Sequence, residues 1–171
     1  GRGEGFAVVH SGQQGGSVVD ALLSRSARVR ALVRNPESDR ARALADRGVE
    51  LARIEIGDAA SLSAALKGAD TFFFMTTPEG HSLADIEGET RQGLALVDAA
   101  VAAAVPHVVY SSVGGAERDS GVPHFESKRR VEEHLQQSGL RATVVRPVAF
   151  MDNFAFMGPS VENGEIVLRM P

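Results

Sequence analysis

Three glycines near the amino end of the chain are spaced to hold a phosphate group. Gly12, Gly15 and Gly16 follow an apolar run, FAVV at 6–9, and precede a stretch with helical spacing. Glycine lets a backbone approach a pyrophosphate closely, and a helix N-terminus offers free N–H groups and the positive end of its dipole. Written as G-x-x-G-x-x-G, the turn has Val9 at the first glycine position. We interpret it as a nucleotide-binding turn. The alternative is a structural turn without a ligand.

The residue that ends the second apolar run indicates which dinucleotide such a turn would hold. A carboxylate at this position pairs with a ribose 2′-OH, whereas an arginine accommodates a 2′-phosphate. Here VRALV at 29–33 is followed by Arg34, no acid occurs before Glu37, and Arg30 and Arg40 are close in sequence. Guanidinium groups suit phosphate recognition. The pattern predicts NADP(H) in preference to NAD(H). The alternative is a solvated arginine at a strand end.

Alternating strands and helices must position these residues. Strands are predicted at 6–9, 29–33, 49–56, 71–75, 107–112 and 141–147, and helices near 15–25, 37–47, 60–67, 83–104 and 124–139. The alternation predicts an α/β fold, a doubly wound (Rossmann) parallel sheet of six strands in the order 3-2-1-4-5-6. The run TFFFM reads as a strand buried on both faces. After Pro147 the sequence shows no clear period.

Composition and charge exclude several classes of function. The 171 residues suffice for one domain with a sizeable core, and the net charge of −4 argues against a nucleic-acid binder. No apolar run approaches the roughly 20 residues of a membrane span, and the start of the chain has no signal-peptide hydrophobic region. Without cysteine there are no disulfides or thiolates, and the five histidines show no metal-ligand spacing. We expect a cytoplasmic protein without a metal, nucleic-acid or membrane partner.

Six segments together resemble the NmrA-like family of atypical short-chain dehydrogenases/reductases. They read GQQGGSVVDALL, VRALVRNP, GD at 57–58, VVYSSVGG, PHFESKRRVEEHL and VVRPVAFMDNF. The resemblance runs from Phe6 to about Phe154. It implies an NADP(H)-binding Rossmann domain followed by a small substrate domain. Some members reduce quinones or other small organic compounds, and others are redox-sensing regulators that bind the cofactor without known turnover.

The resemblance assigns roles by position. It implies a phosphate-binding turn formed by Ser11, Gly12, Gln13, Gln14 and Gly15. It implies that Arg34 contacts the 2′-phosphate and that Asp58 contacts the adenine. It also implies that the loop with Thr76 and Thr77 passes the nicotinamide ribose and that Lys128 is the lysine of the following helix. Val9 and His10 depart from the usual Gly-Ala, which predicts weaker cofactor binding. Relatives also continue further. Residues 1–147 are therefore expected to form the NAD(P)-binding domain, and 148–171 to begin a substrate domain that is largely absent.

The spacing of His124 and Lys128 matches the acid–base pair of short-chain dehydrogenases. Residues four apart share a helix face. In those enzymes a tyrosine at the first position donates a proton as hydride arrives, and the lysine holds the nicotinamide ribose and lowers the tyrosine pKa. A histidine can donate a proton near neutral pH, and the alternative is a solvated residue in the first turn of the helix, after Pro123. We predict His124 as the acid and Lys128 as the cofactor-holding group. Tyr110 lies within a strand and is a poor acid candidate, and Ser112 is an alternative group for polarising a carbonyl.

Two functions remain open from the sequence. The first is an NADP(H)-dependent reductase that transfers hydride to a quinone-like or other small organic acceptor. The second is a cofactor-sensing regulator with a protein partner. Five large apolar side chains after Pro147 would leave an exposed patch, at Phe150, Met151, Phe154, Phe156 and Met157. We expect this tail to fold over the cleft, to pair with a second copy in a homodimer, or to be poorly ordered.

Overall fold

The computed structural model describes residues 6–10, 13–80, 82–148, 150, 160–162 and 165–167. Strands and helices alternate along most of this part of the chain. In order they are β1 Phe6–His10, α1 Gln13–Leu23, β2 Arg28–Val33, α2 Asp39–Ala45, β3 Glu50–Arg53, α3 Ala59–Leu66, β4 Thr71–Met75, α4 Leu83–Ala102, β5 His107–Ser111, α5 Pro123–Gln137, β6 Ala142–Val145, β7 Ser160–Glu162 and β8 Glu165–Val167.

The first six strands form one parallel sheet. Their order is β3-β2-β1-β4-β5-β6, with β1 between β2 and β4. The chain builds the sheet outward from β1 in one direction and then returns to continue from β4 in the other. This reversal opens a crevice at the carboxyl ends of β1 and β4, where doubly wound folds bind their ligands. The expected Rossmann-like α/β class is confirmed.

Two apolar clusters cover the two faces of the sheet. One cluster packs α3, α4 and α5 against Phe72 and Phe74, whose rings are 5.2 Å apart, and the ring of Tyr110 lies 4.7 Å from that of Phe74. The other packs α1 and α2 against the opposite face, where Phe73 points. Burial of consecutive phenylalanines on both faces confirms the expectation for TFFFM.

The helices α4 and α5 approach each other closely at one glycine. A Cβ atom built on Gly93 would lie 2.4 Å from Cγ2 of Val131, so no side chain fits there without a shift. The Gly93 contact fixes the spacing of α4 and α5, and these two helices carry the charged groups of the candidate site.

Among the described helices, none is long and apolar enough to cross a membrane.

The largest differences from the sequence expectation lie at the end of β3 and beyond Pro147. The strand expected over 49–56 ends at Arg53, because the chain leaves the sheet after the hydrogen bond from Ile54 N to Val33 O (2.9 Å) and turns toward α3. Beyond Pro147, where the sequence shows no clear period, β7 and β8 pair antiparallel. Strands of three residues are too short to show a period in sequence.

Candidate functional site

A cavity of about 550 Å³ opens at the carboxyl edge of the sheet. Its walls come from the end of β2, the β3–α3 connection, the β4–α4 loop and one face of α4. The lining residues are Arg34, Arg53, Ile54, Glu55, Ile56, Thr77, Glu79, Ala84, Asp85, Gly88, Glu89, Arg91 and Gln92. Because β3 ends early, the segment from Ile54 to Ile56 forms a wall of this cavity instead of continuing the sheet.

Gly15 and Gly16, which the sequence predicts in a turn, lie in the first turn of α1. Ser11 and Gly12 fall outside the described residues, and α1 begins at Gln13. Gly15 is buried, and the Oε1 atom of Gln14 is buried without a hydrogen-bond partner among the described residues. Leaving such an atom unpaired costs about 1–3 kcal/mol. The first turn of α1 therefore holds a polar atom that a bound molecule or water can satisfy.

Arg34 lies at the end of β2 and reaches across the cavity. Its Nη1 is 3.3 Å from Oε1 of Glu79, and both side chains are largely exposed. A second cavity of about 220 Å³ adjoins it, also lined by Arg34 and by Arg40 of α2. The Nη2 atom of Arg40 lies 3.8 Å from the Cβ position of Gly16, next to the first turn of α1. Two guanidinium groups thus flank the space between β2 and α1.

The third arginine of that stretch does not join the cleft. Arg30 hydrogen-bonds Glu50 Oε1 (2.9 Å) and the carbonyl oxygens of Ala65 (2.8 Å) and Lys67 (3.2 Å). It ties β2 to β3 and to the end of α3. Although Arg30 is close to Arg34 in sequence, it does not line either cavity.

Asp58 caps the helix that follows β3. Its Oδ1 atom accepts hydrogen bonds from the backbone N–H groups of Ala60 (2.9 Å) and Ser61 (3.1 Å). An aspartate at this position satisfies two N–H groups that α3 would otherwise leave unpaired. Its implied contact with an adenine stays a prediction.

Thr76 and Thr77 follow β4 and point to different surroundings. Thr77 is exposed and lines the cavity. Thr76 is buried, donates a hydrogen bond to Glu89 Oε1 (3.0 Å), and lies 3.5 Å from the hydroxyl of Tyr110. In the loop that the resemblance places beside a ribose, Thr77 is thus accessible from the cavity, whereas the side chain of Thr76 is engaged within the protein.

Lys128 lies in a buried polar cluster at the end of β4. Its Nζ donates to the carbonyl oxygen of Thr76 and to Thr76 Oγ1 (3.0 Å), and is 2.7 Å from Glu89 Oε1. An ammonium has three N–H donors, so these acceptors use all of them. Burial lowers the pKa of Lys128, and the Glu89 carboxylate opposes that shift. Lys128 can contact a ligand only by giving up one of these three bonds.

His124 lies one turn before Lys128 on α5, as its spacing predicts. The side chain is 45% exposed, and its Nδ1 is 4.0 Å from the buried Oε2 of Glu89. The imidazole therefore connects solvent with the buried cluster. It is placed to exchange protons with water, and its role as the acid stays a prediction.

The end of β5 carries two serine hydroxyl groups and a tyrosine that is buried in the core. Tyr110 is fully buried, and burial raises its pKa well above the ordinary value, so it does not supply a proton to the cleft. The hydroxyls of Ser111 and Ser112 are buried without a hydrogen-bond partner among the described residues. Both stand at the carboxyl end of the strand, where ligands of such sheets bind.

Sequence reasoning missed Glu89, which stands at the centre of the buried cluster. The sequence did carry a signal, because Glu89, Gly93, Val97 and Ala100 fall on one helical face, and all four are buried. An acid within an apolar stripe needs a partner.

Comparison with known proteins places the chain in a family. The model of the NmrA-like family matches residues 7–171. The chain belongs to the NmrA-like family. The resemblance seen in the sequence is thereby confirmed.

Curated NmrA-like relatives are about twice as long as this chain. An NmrA-like family domain-containing oxidoreductase of Aspergillus japonicus, himF, is 34% identical in an alignment over 151 residues that covers 84% of this chain and 46% of the relative. The NAD(P)H azoreductase of Xenophilus azovorans is 31% identical over 161 residues, covering 94% of this chain and 53% of the relative. The chain spans about half the length of these proteins.

Solved structures of similar fold include two enzymes with a nicotinamide cofactor bound. Triphenylmethane reductase of Citrobacter sp., complexed with NADP(H), matches with a TM-score of 0.76 at 28% identity over 88% of this chain and 51% of that one. The NADPH-dependent quinone oxidoreductase of Escherichia coli, complexed with NADPH, matches with a TM-score of 0.77 at 26% identity over 91% and 53%.

Proposed function

We propose that this chain binds NADP(H), in preference to NAD(H), and supports hydride transfer to a quinone-like or other small organic acceptor. The observation that carries the proposal is the cavity at the carboxyl edge of the sheet, with Arg34 at the end of β2 beside it. The similar Escherichia coli and Citrobacter proteins, a quinone oxidoreductase and a dye reductase, add support.

The polar atoms left unpaired fit a dinucleotide. Gln14 Oε1 lies at the start of α1, and the hydroxyls of Ser111 and Ser112 lie at the end of β5. Because β4 separates β1 from β5 and neighbouring strands lie about 4.8 Å apart, the ends of β1 and β5 are about 10 Å apart along the sheet edge. A dinucleotide laid across the strand ends has hydroxyl and amide groups at several such positions. The residues present therefore suit the cofactor.

Each predicted residue has a place in this proposal. The turn from Ser11 to Gly15 would hold the pyrophosphate, Arg34 the 2′-phosphate and Asp58 the adenine side. Thr76, Thr77 and Lys128 would adjoin the nicotinamide ribose, and Lys128 would reach it by exchanging one of its three acceptors. Residues 1–147 would be the cofactor domain and 148–171 the start of the substrate domain.

The reaction needs one hydride and one proton for each two-electron reduction of the acceptor. The reduced nicotinamide supplies the hydride when it is bound. The chain contributes binding, orientation and a proton source. His124 is half exposed, so it can take a proton from water and pass it toward the cleft. The Lys128 ammonium adds a positive charge that favours electron-rich species formed nearby.

A second candidate function is a redox-sensing regulator that binds the cofactor without turnover. One observation favours it, because the three donors of Lys128 are occupied within the protein and Tyr110, the one tyrosine of the chain, is buried, so the helix lysine is already engaged and no tyrosine supplies a proton. A homodimer, a regulatory protein partner and a cytoplasmic location stay predictions.

Absorbance of NADPH at 340 nm, followed with and without a quinone or an azo dye, tests the proposal. We expect acceptor-dependent NADPH oxidation that His124→Ala slows, with His134→Ala, near the other end of α5 where the ring bonds Asp98 of α4 (2.6 Å), as the matched control. Saturable NADPH binding without oxidation of any acceptor would favour the regulator. Absence of NADPH binding would refute both functions.

A further inference from the structure

The carboxylate of Glu89 joins three elements of the fold at one point. Its Oε1 is 2.7 Å from Lys128 Nζ and accepts from Thr76 Oγ1 at 3.0 Å. Its Oε2 accepts from Ser127 Oγ at 3.0 Å and lies 4.0 Å from His124 Nδ1. The side chain is 1% exposed, yet Glu89 belongs to the cavity wall. One buried acid on α4 therefore contacts both groups on α5 that are predicted to act in the reaction.

Stability alone does not explain this arrangement. Replacing a buried ion pair by well-packed apolar residues is often neutral or stabilising, because the charges lose their hydration on folding. The neighbouring positions on this face of α4 show that apolar and small residues suit the site, since Gly93 and Val97 are buried there. A charged pair at the edge of a cavity has a function other than holding the helices together.

We propose that Glu89 is a positioning residue that holds the ammonium of Lys128 charged and in place beside the cavity while its second oxygen faces His124. The consequence for the reaction rests on the proposed function, but the geometry of the Glu89–Lys128 pair does not. A carboxylate that orients Lys128 and His124 would act as the third group of a catalytic triad does when it aligns the base.

The charges around the pair determine the sign of its effect. Tyr110 of β5 is neutral, and the Lys128 Nζ lies 6.0 Å from its ring centroid. Glu132, further along α5, is held by Arg146 through two hydrogen bonds of 3.0 and 2.6 Å. From α5, His124 faces the other oxygen of Glu89. Among the described residues, Glu89 is thus the carboxylate in direct contact with Lys128. Burial lowers the pKa of Lys128, and the charge of Glu89 acts in the opposite direction by favouring the ammonium form.

The chain offers a clean readout, because its only two lysines are Lys67 and Lys128. Protein labelled with ¹³C-lysine should give two side-chain Cε signals, which Lys67→Arg assigns. We expect the titration midpoint of Lys128 in Glu89→Gln to fall by at least about one pH unit, since an opposite charge favours the ammonium form. Glu87→Gln, on the exposed side of α4, should leave it unchanged. Equal midpoints in Glu89→Gln and the parent would overturn the proposal.

A conservative variant keeps the test decisive if Glu89→Gln does not fold, which circular dichroism would show. Glu89→Asp retains the charge but moves it away by one methylene group, so the Lys128 midpoint should fall below that of the parent, by less than the drop of about one pH unit expected on loss of the charge. An unchanged midpoint would again overturn the proposal. None of these titrations needs a cofactor, so a failure of NADPH binding is distinguishable from a failure of this inference.

Discussion

The close packing of α4 on α5 at Gly93 can be tested by adding one methyl group. In Gly93→Ala the new Cβ would lie 2.4 Å from Cγ2, 3.1 Å from Cγ1 and 3.3 Å from Cβ of Val131. Carbon atoms in contact prefer about 3.5–4.0 Å, so the overlap with Cγ2 exceeds one ångström. Val131 cannot turn away easily, because it is buried and its β-branched side chain has few rotamers in a helix.

The magnitude follows from two opposing terms. Overpacking a core costs about 1–3 kcal/mol, while replacing glycine by alanine inside a helix gains about 1 kcal/mol. Gly88→Ala, on the same helix, provides the control. Among the described residues its added Cβ would meet the Nη2 of Arg91 alone, at 3.8 Å, so it keeps the gain without the overlap. We expect Gly93→Ala to be less stable than Gly88→Ala by about 1–3 kcal/mol.

Urea unfolding followed by circular dichroism measures this difference. Both variants and the parent would be compared at one pH by linear extrapolation, with equal slopes showing that the same surface unfolds. A Gly93→Ala protein as stable as Gly88→Ala would refute the reasoning. It would mean that α4 and α5 move apart at little cost, and that the Gly93 contact does not set the distance between Glu89 and Lys128.

Three further predictions concern the turn, the buried tyrosine and the mouth of the cavity. Val9→Gly with His10→Ala should strengthen NADPH binding in a calorimetric titration, whereas an unchanged affinity would show that the first glycine is dispensable. Tyr110→Phe should lose less stability than the parent as the pH rises above 10.0, the ordinary pKa of tyrosine. The reason is that burial makes the folded parent hold the phenolic proton more tightly than the unfolded chain does. Equal losses of stability in urea unfolding at alkaline pH would contradict this. Glu79→Gln frees Arg34 from an exposed ion pair worth up to about 1 kcal/mol, so NADPH affinity should rise by no more than about fivefold and NADH affinity should stay the same.

The sequence predicted the fold class and the positions of most elements, because helical and strand periods differ clearly over such lengths. The strand from Thr71 to Met75 was predicted with its observed bounds, since consecutive phenylalanines favour a buried strand. The end of β3 was not predicted. Its alternating pattern continues to Ile56, although only the residues up to Arg53 pair with β2 as a strand. Tertiary pairing, and not local periodicity, determines where that strand ends.

The candidate site was predicted only in part. Spacing placed His124 and Lys128 on one helix face, and the structure shows them near one carboxylate. Periodicity within α5 carries no information about which residue of α4 packs against it, so Glu89 was missed. The expectation for the tail after Pro147 stays a prediction. Phe150 is 40% exposed, and Met151, Phe154, Phe156 and Met157 lie outside the described residues.

Equilibrium binding of NADPH and NADH to the purified chain tests the central claim most directly. If Arg34 recognises the 2′-phosphate, NADPH should bind at least about tenfold more tightly than NADH, a difference of about 1.4 kcal/mol. Arg34→Ala should abolish that preference, while Arg91→Ala, on the α4 wall of the same cavity, should retain it. Equal affinities of the parent protein for the two cofactors, or no saturable binding of either, would contradict the account.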